Sequence, residues 1–120
     1  MDEVKIQVES IDALFGSAVE MARKLDDGDY SKQPASLSFG SMEQFLRIMT
    51  PNRWSLLRAL RQSGPSSIRA LSQFLRRDYR GVHAAVTALV VAGLIEKQAD
   101  SKIYVPWRKI TAEMDMELAA

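Results

Sequence analysis

Helix caps and helix breakers divide the stretch from residue 50 to residue 93 into three short helices. Thr50 followed by Pro51 is typical of a helix start, because threonine accepts a hydrogen bond from the first turn and proline lacks an amide that the turn leaves unpaired. Gly64 followed by Pro65 predicts the end of that helix. Boundaries this close together exclude a long coiled coil and predict a compact helical domain.

The second and third of these helices each have one apolar and one polar face. We expect Ser66 or Ser67 to cap the second helix and Asp78 to cap the third, over residues 78–92. The apolar residues recur at helical spacing: Ile68, Leu71 and Leu75, then Val82, Val86, Leu89 and Gly93. The opposite faces carry Arg69, Gln73 and Arg76, then Arg80, His83, Ala84 and Thr87, with Tyr79 at the border.

A hairpin is predicted directly after the third helix. The segment LIEKQADSKIYVP contains two short apolar runs separated by a turn at Asp100 and Ser101. Pro106 ends the pairing because it has no amide to donate. Lys97 and Lys102 flank the turn.

The two ends of the chain also carry strand patterns. VKIQVES alternates apolar and polar residues and predicts a half-buried strand, after which Ser10 is expected to cap an amphipathic helix that reaches Leu25. The alternation from Ile110 through Met114 and Met116 to Leu118 predicts a C-terminal strand. Its partner is either VKIQV or a second subunit.

The intervening segment is predicted to hold a loop, a short strand and a helix. DDGDYSKQPAS is typical of a connecting loop, and SLSF of a short strand. Ser41 and Gln44 have the spacing of a capping box, which predicts a helix reaching about Met49.

These elements predict an α+β fold that is mainly helical, a winged helix-turn-helix with terminal extensions. We divide the chain into a strand-helix extension for dimerisation (residues 1–35), a winged helix-turn-helix domain (36–107) and a C-terminal strand or tail (108–120).

Charge is distributed unevenly along the chain. The net charge is +1, but residues 1–40 carry −4, residues 41–95 carry +6 and residues 96–120 carry −1. All eight cations of the central segment are arginines, whose planar donors suit phosphates and guanine edges. The alternative interpretation is a solvated helical surface.

Composition argues against several classes of function. The chain has no cysteine and one histidine, which gives no basis for a metal site, a disulfide or a thiol nucleophile. There is no glycine-rich phosphate loop and no nucleophile paired with a base, so we expect neither an enzyme nor a bound cofactor. We expect no export signal and no membrane span, and the cytoplasm is the expected compartment.

Groove and phosphate contacts are assigned to the polar faces. Arg80 has the donors to bind guanine, while His83, Ala84 and Thr87 follow on the same side of the helix, next to Tyr79. Backbone phosphates are the expected ligands of a further group: Ser66, Ser67, Arg69, Gln73, Arg76, Arg77, Lys97 and Lys102. Simple capping, for the serines, and plain solvent exposure, for the others, are the alternatives.

The run TPNRWSLLRALRQSGPSSIRALSQFL, followed by VHAAVTALVVAGLIE, resembles MarR-type winged-helix regulators. The whole chain is similar to a subgroup of small predicted transcriptional regulators, some of which are antitoxins. In that resemblance SIRALSQFL matches the first motif helix, Tyr79 to Thr87 match the recognition helix, and AGLIE matches the entry into the wing.

The resemblance implies a homodimer that binds double-stranded DNA in a sequence-specific way and represses its own operon. A second hypothesis is an antitoxin whose acidic N-terminal part neutralises a small toxin-like protein, with DNA binding secondary. A small reading frame beside the gene would favour this second hypothesis.

Overall fold

The computed structural model describes residues 3–8, 11–28, 35–114 and 118. Within them the fold is α+β, with five helices and five short strands, which confirms the predicted α+β, mainly helical class. The elements in chain order are β1 (Glu3–Val8), α1 (Ile11–Asp26), β2 (Ala35–Phe39), α2 (Met42–Ile48), α3 (Pro51–Ser63), α4 (Ile68–Leu75), α5 (Tyr79–Ala92), β3 (Glu96–Lys97), β4 (Ile103–Tyr104) and β5 (Lys109–Glu113). The predicted cap Ser10 and most of the predicted loop, residues 29–34, lie outside the described residues.

Two compact units share this chain. The first unit comprises Glu3–Phe45 and the segment that begins at Lys109. The second unit is Leu46–Arg108, which is inserted into the first between β2 and β5.

A parallel sheet organises the first unit. Its strand order is β2-β1-β5, with Val4 of the central strand beside Ala35 on one side and Ile110 on the other. The C-terminal strand therefore pairs with VKIQV, one of the two partners predicted for it. It is shorter than predicted, because β5 ends at Glu113 and Leu118 lies outside it; Met116 is outside the described residues.

The central strand β1 has one buried and one partly exposed face. Val4 and Ile6 are 2% and 1% exposed. On the other face Lys5 forms an ion pair with Glu113 of β5, with 3.1 Å between Nζ and Oε2. The predicted alternation of VKIQV is confirmed, since successive strand residues point to opposite faces.

Helix α1 exposes its large apolar side chains. Phe15, Val19, Met21 and Leu25 are between 46% and 66% exposed. An amphipathic helix is stabilised mainly by burying its apolar face. The described part of this face therefore has the character of an interaction surface rather than of a core.

Helix α2 begins with a variant of the predicted capping box. Ser41 Oγ accepts a hydrogen bond from Gln44 N at 3.1 Å. The return bond goes from Gly40 N to Gln44 Oε1 at 3.2 Å, one residue earlier than the usual box requires.

The three predicted helices of the second unit begin at side-chain caps. Thr50 Oγ1 accepts from Arg53 N at 3.4 Å and Asp78 Oδ2 accepts from Arg80 N at 3.1 Å, which confirms both predicted starts. Ser67, rather than Ser66, caps α4, because its Oγ accepts from Ala70 N at 3.0 Å.

Apolar side chains from all three helices and from the hairpin form the core of the second unit. Leu60, Leu71 and Leu89, on α3, α4 and α5, are at most 1% exposed. Ile103 of β4 is fully buried, and the backbone groups of Ser66 and Ile103 bond each other at 3.0 and 2.8 Å. The short β3–β4 hairpin is therefore joined to the chain that leads into α4.

Two glycines end helices in backbone conformations that other residues rarely adopt. Gly64 has φ 81° after α3, and Gly93 has φ 89° after α5. The indole of Trp107 donates to the carbonyl oxygen of Gly93 at 3.1 Å, which fixes the chain that leaves the hairpin against the end of α5. In the described part of the chain, no helix has the length and apolar character that crossing a membrane requires.

Replacing Leu89 tests the core of the second unit. Leu89→Ala should lower the free energy of unfolding by about 2–5 kcal/mol, because it opens a cavity at a fully buried position. The control is Val91→Ala on the same helix, where the side chain is 84% exposed and we expect a change within about 0.5 kcal/mol. Urea unfolding measures both; equal effects would show that Leu89 is not a core residue.

Candidate nucleic-acid interface

The second unit is strongly basic. It holds eleven lysines and arginines against three acids, a net charge of +8. Each of the three carboxylates accepts a hydrogen bond within the unit: Asp78 from Arg80 N, Glu96 from Tyr104 Oη and Asp100 from Lys102 N. The three acids offset three of the eleven positive charges, so the potential of this unit stays positive.

Most residues predicted to contact DNA are exposed on this unit. Twelve of the thirteen have exposed side chains: Ser67, Arg69, Gln73, Arg76, Arg77, Tyr79, Arg80, His83, Ala84, Thr87, Lys97 and Lys102. All but the two lysines lie on α4, on the turn after it, on α5, or at the cap of α4.

The thirteenth residue, Ser66, requires a correction. We predicted that its hydroxyl faces a phosphate, but its Oγ is buried and has no hydrogen-bond partner among the described residues. The cause is the backbone pairing of Ser66 with Ile103, which holds this residue beside the hairpin. Ser67 is exposed, although its Oγ is already used as the cap of α4.

The turn between α4 and α5 depends on Arg76. This residue has φ 55° and ψ 46°, a left-handed conformation that is uncommon for residues other than glycine. Its amide donates to the carbonyl oxygens of Gln73 and Ser72, so it closes the end of α4. Because Asp78 caps α5 two residues later, the turn is tight and its side chains are held next to the start of α5.

Tyr79 connects the exposed faces of α4 and α5. The guanidinium carbon of Arg69 lies 4.7 Å from the centre of the Tyr79 ring, within the range of a cation–π contact. The His83 ring lies on the same helix as Tyr79, with 5.9 Å between ring centres and a tilt of 46°. We call these three residues the Arg69–Tyr79–His83 stack.

The other predicted contacts on α5 and on the turn before it differ in whether the protein itself holds them by a hydrogen bond. Thr87 donates its hydroxyl to the carbonyl oxygen of His83 at 2.9 Å, which leaves its oxygen and methyl group available. Arg77 donates from Nη1 to the carbonyl oxygen of Asn52 at 3.2 Å and is thereby tied to α3. Arg80 and Ala84 are exposed, and the side chain of Arg80 forms no hydrogen bond or ion pair within the described chain.

The hairpin carries Lys97 and Lys102 on either side of its turn. Gln98 N donates to the carbonyl oxygen of Lys102 at 2.7 Å, and Ser101 adopts φ 71° at the tip. Both lysines are exposed, so the hairpin offers two flexible cations rather than a rigid donor pair.

A cleft that the sequence analysis missed opens between the first turns of α3 and α5. It has a volume of about 300 Å³, and its polar lining comes from Thr50, Asn52, Arg53, Arg77 and Asp78. No periodicity in the sequence predicts it, because it exists only where α5 packs beside α3. Elsewhere, in the part of the chain that the structure describes, no three histidine, cysteine or carboxylate side chains are grouped so as to hold a metal.

A protein-family model matches this part of the chain. Residues 48–112 match the model of the HVO_A0114 family, which is more than half of the chain and includes the whole of α3, α4, α5 and the hairpin. The chain therefore belongs to the HVO_A0114 family. No curated protein and no solved structure matched it.

A double-mutant cycle tests the contact between Arg69 and Tyr79. Arg69→Leu and Tyr79→Leu should show a coupling of about 0.5–1 kcal/mol in the free energy of unfolding, as expected for an exposed cation–π pair. Tyr79→Phe is the control, because it keeps the ring and should keep the coupling. Additive single effects would mean that the two side chains do not interact in solution.

The hydrogen bond between Tyr104 and Glu96 of the hairpin raises the pKa of Tyr104. Tyr104 Oη donates to Glu96 Oε2 at 2.7 Å, and this bond raises the pKa of Tyr104 above its usual 10.0, with smaller contributions from desolvation and from the charge of Glu96. Since the pKa is raised in the folded state, the contribution of this bond to stability is present below pH 10 and is lost as pH rises through the shifted pKa. Glu96→Gln should lower the pKa of Tyr104, which is measured by the tyrosinate absorbance as pH rises. Tyr104→Phe identifies the part of this absorbance that belongs to Tyr104. An unchanged pKa in Glu96→Gln would contradict the assignment.

Proposed function

We propose that this member of the HVO_A0114 family is a dimeric, sequence-specific regulator of transcription that binds double-stranded DNA in the cytoplasm. Its second unit acts as a winged helix-turn-helix, as its resemblance to MarR-type regulators implies. Helix α5 enters the major groove, and the β3–β4 hairpin is the wing.

The observation that carries this proposal is the placement of exposed cations on one pair of helices. Arg69, Arg76, Arg77 and Arg80 lie on α4, on the turn and on the first turn of α5, within a unit of net charge +8. A helix-turn-helix places its second helix in the major groove while the first crosses the phosphate backbone. The same order of elements, with a hairpin directly after the second helix, supports the winged form.

The roles of individual residues follow from their positions. Arg80 and His83 lie one turn apart on the exposed side of α5, where they reach base edges, with Ala84 and Thr87 beside them. Arg80 has the planar donors that recognise guanine O6 and N7. Phosphate contacts fall to the residues of α4, its cap and the turn: Ser67, Arg69, Gln73, Arg76 and Arg77.

A dimer suits this function because a two-fold reader recognises two half-sites of a palindromic operator. The exposed apolar face of α1 supports a dimerisation role for the first unit, where Phe15 is 66% exposed and Val19 is 60% exposed.

Binding to DNA tests the proposal. We expect purified protein to bind its own upstream DNA more tightly than a scrambled duplex, with log K falling against log salt by about 0.9 for each phosphate contact. Arg80→Ala should remove the preference for the cognate duplex, because a bidentate base contact is worth about 1–3 kcal/mol of discrimination. Fluorescence anisotropy across a salt series measures both quantities.

The matched control is Arg58→Ala, which removes one exposed arginine from α3, outside the α4–α5 pair. This variant should keep the preference for the cognate duplex. It should weaken binding to both duplexes by the same factor, because it changes only the net charge. Equal binding of cognate and scrambled DNA by the unaltered protein would refute sequence specificity, and the absence of any binding at about 0.1 M salt would refute a role on DNA.

A second candidate function is supported by the charge of the first unit. Glu3–Phe45 and the segment from Lys109 hold five lysines and arginines against eleven acids, a net charge of −6. An acidic unit with an exposed apolar helix suits a small basic protein, as expected of an antitoxin that neutralises a toxin. Rescue of growth when both proteins are expressed together distinguishes this role from DNA binding alone.

A further inference from the structure

We propose that the cleft between the first turns of α3 and α5 receives a phosphate of the DNA backbone. This inference rests on the proposed function and adds a contact that lies on α3, outside the two motif helices. It assigns binding roles to Asn52 and Arg53, and it gives Gly81 a reason for its place in α5.

Two arginines are held at the cleft by hydrogen bonds to backbone carbonyls. Arg53 donates from Nη1 to the carbonyl oxygen of Ile48 at 2.8 Å, and Arg77 donates from Nη1 to that of Asn52 at 3.2 Å. A guanidinium has five N–H donors, so each keeps four for a ligand. Because the hydrogen bonds already restrict both side chains, binding an anion costs less conformational entropy than it would with free arginines.

The wall of the cleft is mostly apolar, and its two arginines supply the donors for phosphate oxygens. The cleft is an open space of about 300 Å³ whose lining includes Thr50, Asn52 and both arginines, above the apolar side chains of Leu56 and Val82. Helix α3 adds the positive end of its dipole, since this is its first turn. Asp78 also lines the cleft and caps α5 through Oδ2, and the two arginines of the lining exceed its negative charge by one.

Gly81 leaves one wall of the cleft without a side chain. It lies in the first turns of α5, where glycine is a poor helix former, and it lines the cleft. A Cβ built on Gly81 meets no atom within 4 Å, so packing within the protein does not require a glycine. A backbone that passes close to this wall of the cleft does require one.

The net charge of the second unit and the position of the cleft beside α5 favour DNA as the source of the phosphate. The cleft lies in the unit of net charge +8, and Arg77, on its rim, directly precedes α5, which carries the proposed base contacts. A free phosphate ion offers the same chemistry, so the test has to separate the two sources.

The experiment measures anisotropy of the cognate duplex with Asn52→Asp, which adds a carboxylate to the cleft. The bond from Arg77 is preserved because it ends on the backbone of Asn52, and an acid in the first turn of a helix does not destabilise it. We expect affinity to fall about tenfold at about 0.1 M salt, and the salt slope to fall by about 0.9, the loss of one phosphate contact.

Gln62→Glu is the matched control. It makes the same change of charge on the same helix, about 15 Å from Asn52 along the helix axis. Gln62 is exposed. We expect its affinity to stay within about twofold of that of the unaltered protein, since screened charges at this distance interact weakly.

Gly81→Ala is a second variant, and we expect it to fold normally. We expect the thermal midpoint to rise, because alanine is the better helix former, while affinity for the duplex falls about threefold or more. Inorganic phosphate should compete with DNA at least as strongly as chloride does at equal ionic strength.

The outcomes separate the cleft from the function as a whole. If Asn52→Asp and Gly81→Ala bind DNA like the unaltered protein, the cleft proposal is wrong and the regulator proposal stands. Inorganic phosphate that raises the thermal midpoint of the protein without lowering its affinity for the duplex would overturn DNA as the source of the ligand. If the unaltered protein binds no duplex, both proposals are wrong.

Discussion

Burial of leucine side chains between three short helices is the interaction on which the second unit depends. Leu60, Leu71 and Leu89 lie on different helices and are almost completely removed from water. Each buried leucine stabilises the fold by about 1.5–3 kcal/mol relative to an exposed one. Helices of 8 to 14 residues have little stability alone, so this shared core decides whether the exposed faces of α4 and α5 exist at all.

The same core sets the geometry of the cationic surface. Because Leu71 and Leu89 face inward, Arg69 and His83 face outward on helices whose relation is fixed by packing. The left-handed residue Arg76 makes the connection short, and the Arg69–Tyr79–His83 stack joins the two outer faces. A surface held on packed helices recognises a rigid duplex at a lower entropic cost than one held on loops.

The first unit depends on pairing between strands that are far apart in the sequence. Its parallel sheet is closed by a strand that arrives only after the whole second unit, so β5 pairs with β1 across about a hundred residues of chain. The charge of this unit is negative where that of the second is positive, and its helix α1 exposes apolar side chains. One chain thus carries two surfaces of opposite character, which suits a protein that binds a polyanion with one unit and another protein with the other.

Local signals in the sequence determined much of this structure. Caps at Thr50 and Asp78, the glycine at 64, and the apolar spacing of α4 and α5 act within a few residues of chain, so most helix bounds and exposed faces were predictable. Tertiary structure decided what depends on distant segments. Pairing with Ile103 buried the hydroxyl of Ser66, pairing with VKIQV gave β5 its partner, and the packing of α5 beside α3 created the cleft at Asn52 and Gly81. A periodic pattern records which face of an element is apolar, but it does not record which remote element lies against that face, because many partners bury the same apolar area equally well.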